Sequence, residues 1–297
     1  MSLRAELVRL LLRRFMKRGG ATGHSLAETR RGLAAAERFV PGPPSGFETR
    51  AVDLAGVPAE RITPPQVCGD RHILFLHGGG YVSGTARLYR NLTWRFAAAA
   101  GAPLWFLDYR LAPEHPFPAA LEDALAGYRA LLATAADPRR LVLLGDSAGG
   151  GLAFCLLLRL RDQGEPLPGA TVALSPWTDL ALSGDSLRRN AEADPMIDPA
   201  AVPQLADCYL AGGDPRAPYA SPLYGDLAGL PPSLIQVGGD EVMLDDSLRM
   251  AQRLRAAGSP VTLEVWPRMP HVWHAFAPFV PESRRAIRRV GEFLAAA

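Results

Sequence analysis

Short apolar segments alternate with longer helix-like segments along the chain from about residue 71 to its end. Gly, Pro or charged residues bound each apolar segment, which is typical of short buried strands. Strands are predicted at 72–76, 103–107, 141–144, 171–174, 233–237 and 261–265, and helices at 89–100, 119–134, 148–162, 245–257 and 282–296. This order predicts an α/β fold in which helices cover both faces of a mostly parallel sheet.

Composition narrows the classes of function. The 297 residues are 48% apolar and 21% charged, as in a globular protein of one large domain or two ordinary ones. Lys and Arg (32) nearly balance Asp and Glu (30), and no basic run predicts a nucleic-acid partner. The three cysteines are widely separated, so we expect neither a disulfide framework nor a metal site, and a reducing, cytoplasmic location.

Two irregular stretches break the alternation, at residues 1–45 and 179–222. Ligands of open parallel sheets bind at the carboxyl ends of the strands. We therefore expect both stretches to form a helical cap over that edge, and residues 46–178 and 223–297 to form the core.

The N-terminal segment has an amphipathic pattern. Its apolar residues lie at helical spacing, namely Leu3, Leu7, Leu10, Leu11 and Phe15. Arginines and a glutamate interrupt them, so the segment is neither a signal peptide nor a stably inserted membrane span. A helix packed on the body of the protein is favoured over a helix on a membrane surface, which the basic pattern also fits.

A Gly-x-Ser-x-Gly motif joins the predicted strand 141–144 to the apolar helix after it, with Gly145, Ser147 and Gly149 at the defining positions. A serine on so sharp a turn leaves no room for side chains two residues away on either side. Ser147 is therefore the candidate nucleophile, at the positive end of the following helix.

A histidine and three glycines, His77 to Gly80, follow the predicted strand 72–76 directly. Glycines let the backbone approach a substrate closely, so their N–H groups can face a developing oxyanion. The alternative is an ordinary tight turn. We expect His77 to brace this loop by a backbone hydrogen bond rather than to act as a catalyst.

A serine nucleophile needs a base and an orienting carboxylate, each expected after a later strand. Asp240 is favoured as the acid over Glu241 because it is the first acid after strand 233–237. Asp245 and Asp246 are interpreted as the N-terminal cap of the next helix.

His271 is favoured as the base because it follows strand 261–265. His274, about one helical turn later, is interpreted as a structural or cap-facing residue. The histidines at positions 24, 72 and 115 have no neighbouring motif that indicates a role in proton transfer.

Together these motifs resemble those of the hormone-sensitive-lipase-like carboxylesterases of the α/β-hydrolase superfamily, over about residues 71–296. The resemblance depends on His77-Gly78-Gly79-Gly80, Tyr109-Arg110-Leu111-Ala112-Pro113-Glu114 with Pro116-Phe117-Pro118-Ala119-Ala120 after it, Gly145-Asp146-Ser147-Ala148-Gly149-Gly150, Asp240 and His271-Val272-Trp273. It implies a mostly parallel α/β-hydrolase sheet with a helical cap, and dimerisation through an edge strand near the C-terminus. No spacing of histidines, cysteines or carboxylates suggests a metal or an organic cofactor.

The resemblance also implies roles for individual residues. Ser147 would be the nucleophile, Asp240 the acid and His271 the base. The oxyanion hole would be formed by N–H groups of Gly79, Gly80 and Ala148, with Gly78 kept as a further candidate.

The predicted function is hydrolysis of carboxylic esters with short to medium acyl chains through an acyl-enzyme. The expected substrates are small molecules. A lactone or small-amide hydrolase could use the same residues. A non-catalytic receptor is the other alternative, since the plant gibberellin receptors resemble this fold but lack the catalytic histidine. Tyr81, Trp177 and Val272 adjoin the motifs and either line a substrate pocket or belong to the core.

The proline-rich stretch 109–120 is interpreted as structural support. Its prolines stiffen the loop, and an ion pair between Arg110 and Glu114 is expected to brace it against the serine turn.

Overall fold

A computed structural model of the chain describes residues 1–14, 25–135 and 137–297, and Phe15 and His24 lie outside these ranges. Within them one eight-stranded sheet forms the centre of the molecule. Its strands are β1 (Glu48–Leu54), β2 (Val57–Thr63), β3 (His72–Leu76), β4 (Leu104–Leu107), β5 (Leu141–Asp146), β6 (Ala170–Leu174), β7 (Ser233–Gly238) and β8 (Val261–Trp266).

The strand order is β1-β2-β4-β3-β5-β6-β7-β8. All neighbours from β4 to β8 are parallel, whereas β1 pairs with β2, and β2 with β4, in antiparallel register. The six predicted strands are confirmed, with ends that differ by at most two residues. The hairpin of β1 and β2 was not predicted.

Nine α-helices occur in the described part of the chain: α1 (Leu3–Leu12), α2 (Leu26–Ala36), α3 (Ala86–Ala100), α4 (Ala119–Leu132), α5 (Ala148–Asp162), α6 (Ser186–Arg189), α7 (Val202–Leu210), α8 (Leu244–Ala256) and α9 (Pro281–Ala296). The five predicted helices correspond to α3, α4, α5, α8 and α9. No helix of the described residues combines the length and apolarity that a membrane span requires.

Two apolar clusters sandwich the sheet because successive side chains of a strand point to opposite faces. In β3, Leu74 and Leu76 join the cluster that contains α4, α5 and α8, whereas Ile73 and Phe75 join the cluster of α3 and α9. Both faces of the central strands are thus buried, which explains their continuous apolar sequences.

Helix α1 packs on the body of the protein, as predicted, but not through its leucines. Ala5 is buried beside Trp266 and Trp273, and Arg9 is 7% exposed. The leucines at positions 3, 7, 10 and 11 are between 46% and 91% exposed. The face of the helix that packs on the protein is therefore that of Ala5 and Arg9. The face that carries the leucines is exposed, although its apolar spacing suggests burial.

Polar contacts attach the 179–222 segment to α8. Asp246 Oδ2 accepts the N–H groups of Thr178 (2.7 Å) and Asp179 (2.9 Å), and Asp245 Oδ2 accepts that of Ser186 (2.9 Å). The interpretation of both aspartates as helix caps was wrong: they lie within the first turn of α8, and their oxygens bind backbone of another segment.

Candidate active site

A strained turn between β5 and α5 presents Ser147. Its φ of +52° and ψ of −122° are uncommon for a residue with a side chain. A Cβ added at Gly145 would lie 2.3 Å from the carbonyl oxygen of Gly149, and one at Gly149 would lie 2.0 Å from that of Leu76. The steric argument for both glycines is therefore confirmed, and Ser147 is half-buried at the carboxyl end of the sheet.

The loop after β3 lies against this turn. A Cβ added at Gly78 would be 3.0 Å from Ser147 Cβ, so the loop passes directly beside Ser147. Gly79 and Gly80 have φ values of +104° and +63°, and a Cβ at Gly79 would be 2.1 Å from the carbonyl oxygen of Ser83. Only glycine fits this path at position 79.

Backbone donors for an oxyanion remain available beside Ser147. Among the described residues, the N–H groups of Gly79 and Gly80 have no protein acceptor, and no side chain caps the first turn of α5, where Ala148 begins the helix. The N–H of Gly78 donates instead to Asp146 Oδ1 (3.0 Å). Gly78 is thus excluded as a donor, because that hydrogen is already bound.

Buried side chains hold the loop in place. Asp146 Oδ2 accepts the hydroxyl of Tyr89 (2.9 Å), and burial raises the pKa of Asp146 to about 6. His77 stacks between Phe106 and Tyr109, and its Nδ1 donates to the carbonyl oxygen of Gly78 (2.7 Å). Burial lowers the pKa of His77 to about 4, so it is neutral at pH 7, and its predicted role as a brace is confirmed.

His271 is paired with a carboxylate, but not the predicted one. Its Nδ1 donates to Glu241 Oε2 (2.7 Å), and Glu241 is fully buried. Burial alone would lower the pKa of His271, but the charge and hydrogen bond of Glu241, aided by Asp194 and Asp146, raise it above its ordinary value. The N–H of Ser147 donates to the carbonyl oxygen of Leu174 (2.8 Å), and the next residue, Ser175, hydrogen-bonds to Glu241 and to the N–H of Val272, so the end of β6 brings the serine turn and the histidine loop together.

The choice of Asp240 as the orienting acid was wrong. Asp240 Oδ2 forms an ion pair with Arg9 Nη2 of α1 (2.7 Å). The same guanidinium donates through Nη1 to the carbonyl oxygen of Arg268 (3.3 Å), in the loop that leads to His271. Asp240 therefore faces α1, whereas the next residue, Glu241, faces the histidine.

Ser175, which the sequence did not single out, connects the acid to the histidine loop. Its hydroxyl donates to Glu241 Oε1 (2.7 Å) and accepts the N–H of Val272 (3.2 Å). Glu241 Oε1 also accepts the N–H of Gly238 (2.5 Å). Glu241 is therefore held by three donors, including His271, which is what an immobile buried carboxylate requires.

The three candidate substrate residues are all buried. Tyr81 stacks on Tyr209 of α7 at 3.7 Å between ring centroids and lies 6.3 Å from Trp177. The N–H of Trp177 donates to the carbonyl oxygen of Ser147 (2.9 Å). Val272 belongs to the apolar cluster on the other face of the sheet. Their role in substrate binding stays a prediction.

The predictions for His274 and for the proline-rich loop have definite outcomes. His274 is structural, with Nε2 2.8 Å from Gln236 Oε1. The expected ion pair within the proline-rich loop is absent: Arg110 pairs with Asp123 (2.8 Å), and Glu114 pairs with Arg30 of α2 (2.7 Å). The described residues contain no group of histidines, cysteines and carboxylates suited to a metal ion.

Comparisons with known proteins agree with this geometry. Residues 73–275 match the family model described as alpha/beta hydrolase fold. The acetyl-hydrolase of Streptomyces hygroscopicus is 50% identical over 236 residues, which are 80% of this chain and 79% of that protein. An esterase of Acinetobacter venetianus is 35% identical over 260 residues, 86% of this chain and 84% of that protein.

Solved structures match over nearly the whole chain. A bacterial esterase of the hormone-sensitive lipase family superposes with a TM-score of 0.93 at 46% identity, covering 99% of this chain and 98% of that one. The esterase EstE5 in complex with PMSF gives 0.90 at 43% identity, covering 98% and 99%. EstE5 from a crystal soaked with p-nitrophenyl butyrate gives 0.94 at 43% identity, covering 99% and 98%. The chain belongs to the hormone-sensitive lipase family of α/β hydrolases.

Proposed function

We propose that the protein is a serine carboxylesterase that hydrolyses esters of short to medium chain carboxylic acids. The observation that carries the proposal is the His271–Glu241 pair, which lies in one site with the strained turn of Ser147 and the free N–H groups of Gly79 and Gly80. Relatives named esterase or carboxylesterase, and a related structure with PMSF, support the same chemistry.

The mechanism follows from the roles of the groups. Glu241 accepts the Nδ1 hydrogen of His271, which leaves Nε2 as the base that takes the Ser147 proton. The serine oxygen attacks the ester carbonyl, and the N–H groups of the glycine loop and of Ala148 stabilise the negative oxygen. His271 returns the proton to the departing alcohol, and water then releases the acid from Ser147 by the same steps in reverse.

The space beside the glycine loop supports short to medium acyl groups. Leu205 of α7 lies 3.0 Å from the position of a Cβ on Gly80. Tyr81, Tyr209 and Trp177 fill the adjoining volume with stacked rings. An acyl chain that enters on this side of the loop meets Leu205 and closely packed rings, which favours short to medium chains.

The direct test combines covalent labelling with a substrate panel. A fluorophosphonate probe should label the protein on Ser147, because only an activated serine reacts. Across p-nitrophenyl esters from acetate to palmitate, we expect kcat/KM to be at least about 10-fold higher for butyrate than for palmitate. A lactone and an anilide serve as comparison substrates.

Three other outcomes of these experiments would each contradict a part of the proposal. A folded protein that resists the probe and hydrolyses no ester would be a receptor rather than an enzyme. A higher kcat/KM for the lactone or the anilide than for any ester would identify the alternative hydrolase. A preference for palmitate would make the protein a lipase.

The raised pKa of His271 predicts the acid limb of the pH profile. Only the neutral imidazole can accept the serine proton, so kcat/KM should fall as the pH drops through the pKa of His271. Because Glu241 raises that pKa, we expect the midpoint of the fall to lie above pH 6.5. The measurement is kcat/KM for p-nitrophenyl butyrate between pH 5 and 9, with circular dichroism confirming the fold at each pH. A midpoint clearly below pH 6.5 would contradict the pairing.

We also propose that residues 1–45 and 179–222 form a cap over the site. Arg30 of α2 donates to the carbonyl oxygens of Val82 (2.7 Å) and Ala112 (2.6 Å), directly beyond the glycine loop. In the second segment, the carbonyl oxygen of Tyr209 accepts the N–H of Phe117 (2.7 Å). Both segments thus contact loops at the edge of the sheet where Ser147 lies.

Two further expectations stay proposals, a homodimer and a cytoplasmic location. Within the described residues, strand β8 pairs with β7 alone, so its outer edge carries unpaired backbone groups that a second copy could extend. Cys68, Cys155 and Cys208 are all free, as suits a reducing compartment.

A further inference from the structure

A groove between α3 and α9 lies on one face of the molecule. Its volume is 540 Å³, within the range of small-molecule sites. All of its lining residues come from these two helices. None of them is Ser147, Glu241 or His271, and none lies in the glycine loop after β3. The proposed esterase reaction gives the groove no role.

The groove is open to solvent, and part of its lining is apolar. Small or aliphatic residues line it, namely Ala98, Ala99, Ile287, Gly291 and Ala295. A Cβ added at Gly291 would lie 2.2 Å from the carbonyl oxygen of Ala99, so the helices approach closely here. The α9 residues from position 284 to 295 cover three turns, about 16 Å, which is long enough for an extended chain of eight to ten carbons.

Arginines line the same groove. The Arg95 guanidinium stacks over Trp94, 4.0 Å from the ring centroid, and its Nη1 donates to Asn91 Oδ1 (2.6 Å). Burial and the nearby charge of Arg284 lower the pKa of Arg95. Arg284 donates to the carbonyl oxygen of Ala277 (3.2 Å). Among the described residues, neither Arg95 nor Arg284 has a carboxylate partner.

The rest of the groove leaves this charge uncompensated. Arg288 also lines it and pairs with Glu292 Oε1 (3.5 Å), the one acid in the lining. Glu292 is shared with Arg289, whose Nη1 donates to Oε2 (2.6 Å). Three arginines against one glutamate give the lining a formal charge of +2. Like charges that line one groove repel each other, and an anion bound between them would relieve that repulsion.

We propose that this groove binds an amphiphilic anion, a medium-chain carboxylate. The carboxylate would accept hydrogen bonds from Arg95 and Arg284, since guanidinium groups suit the two oxygens of a carboxylate. The alkyl chain would lie along the trough of small residues and cover its apolar surface. The inference does not depend on the activity of Ser147, because the groove shares no residue with that site.

The test is calorimetric titration of the full-length protein with sodium octanoate, with octanol as the neutral ligand of equal chain length. We expect saturable octanoate binding with a Kd on the order of 0.1 to 1 mM, and octanol at least about 10-fold weaker. Arg95→Gln and Ala98→Glu should each weaken octanoate binding by about 10-fold or more, the first by removing a cation and the second by adding an anion.

Arg285→Gln is the matched control. Arg285 is on α9 but stacks over Trp266, outside the groove, so this variant should change the Kd by less than about 2-fold. Binding that Arg95→Gln and Ala98→Glu both leave unchanged would occur elsewhere and overturn the proposal, as would equal affinity for octanol or no saturable binding. If Arg95→Gln unfolds, Ala98→Glu decides, because Ala98 is an exposed helical position that glutamate suits.

Discussion

Replacing Ser147 by alanine is expected to lower kcat/KM for p-nitrophenyl butyrate by about 10⁴-fold or more. Alanine removes the oxygen that attacks the ester, and no acyl-enzyme can then form. That loss corresponds to about 5.5 kcal/mol of transition-state stabilisation. The change should leave the fold intact, because Ser147 uses its backbone for the turn: its N–H donates to the carbonyl oxygen of Leu174 (2.8 Å).

Ser175→Ala is the control for this substitution. It removes the same atom from a neighbouring strand end, but Ser175 only supports Glu241 and the N–H of Val272. Its kcat/KM should fall by about 10- to 100-fold, and fluorophosphonate labelling should persist at a lower rate. Ser147→Ala should lose labelling altogether. A Ser147→Ala variant that is still labelled, or that keeps activity near that of the natural protein, would remove Ser147 from its role.

The central sheet could be predicted because its strands are buried on both faces. Short continuous apolar sequences bounded by Gly, Pro or charged residues, such as 73–76 and 141–144, are typical of such strands. Strands β1 and β2 escaped prediction because β1 is the edge strand of the sheet, β2 lies next to it, and neither has a continuous apolar sequence. Charged residues such as Arg50, Asp53 and Glu60 interrupt both strands, and Ala55 and Gly56, both at positive φ, form their turn.

The glycines of the site could also be predicted, since the turn leaves no room for a side chain at Gly145 or Gly149.

The partners of charged side chains could not be predicted from the sequence. Arg110 and Glu114 are close in sequence, yet each finds its partner on another element. The same holds for Asp240 and Glu241, because their order along the chain does not indicate which carboxylate points into the protein. The buried neighbour Ser175 is the distinguishing feature, and only the fold reveals it.

The choice between the two acids leads to a prediction of similar size to that for the nucleophile. Glu241→Gln should lower kcat/KM for p-nitrophenyl butyrate by about 10³- to 10⁴-fold, because a neutral amide cannot stabilise the imidazolium form of His271 and can impose the wrong tautomer on it. Without the carboxylate charge, the acid limb of the pH profile should also move to lower pH. The measurements are kcat/KM at pH 8 and the midpoint of that limb.

Asp240→Asn is the matched control, since it makes the equivalent change at the adjacent residue. Asp240 lies 2.7 Å from Arg9, whose side chain is 8% exposed against 20% for Asp240. Losing the carboxylate leaves the guanidinium without its anion and should destabilise the fold by about 1 to 3 kcal/mol, with a lower Tm. Its kcat/KM should stay within about 10-fold of the natural protein, because the His271–Glu241 hydrogen bond persists. The opposite pattern, with Asp240→Asn nearly inactive and Glu241→Gln active, would restore Asp240 as the catalytic acid and refute the pairing of His271 with Glu241.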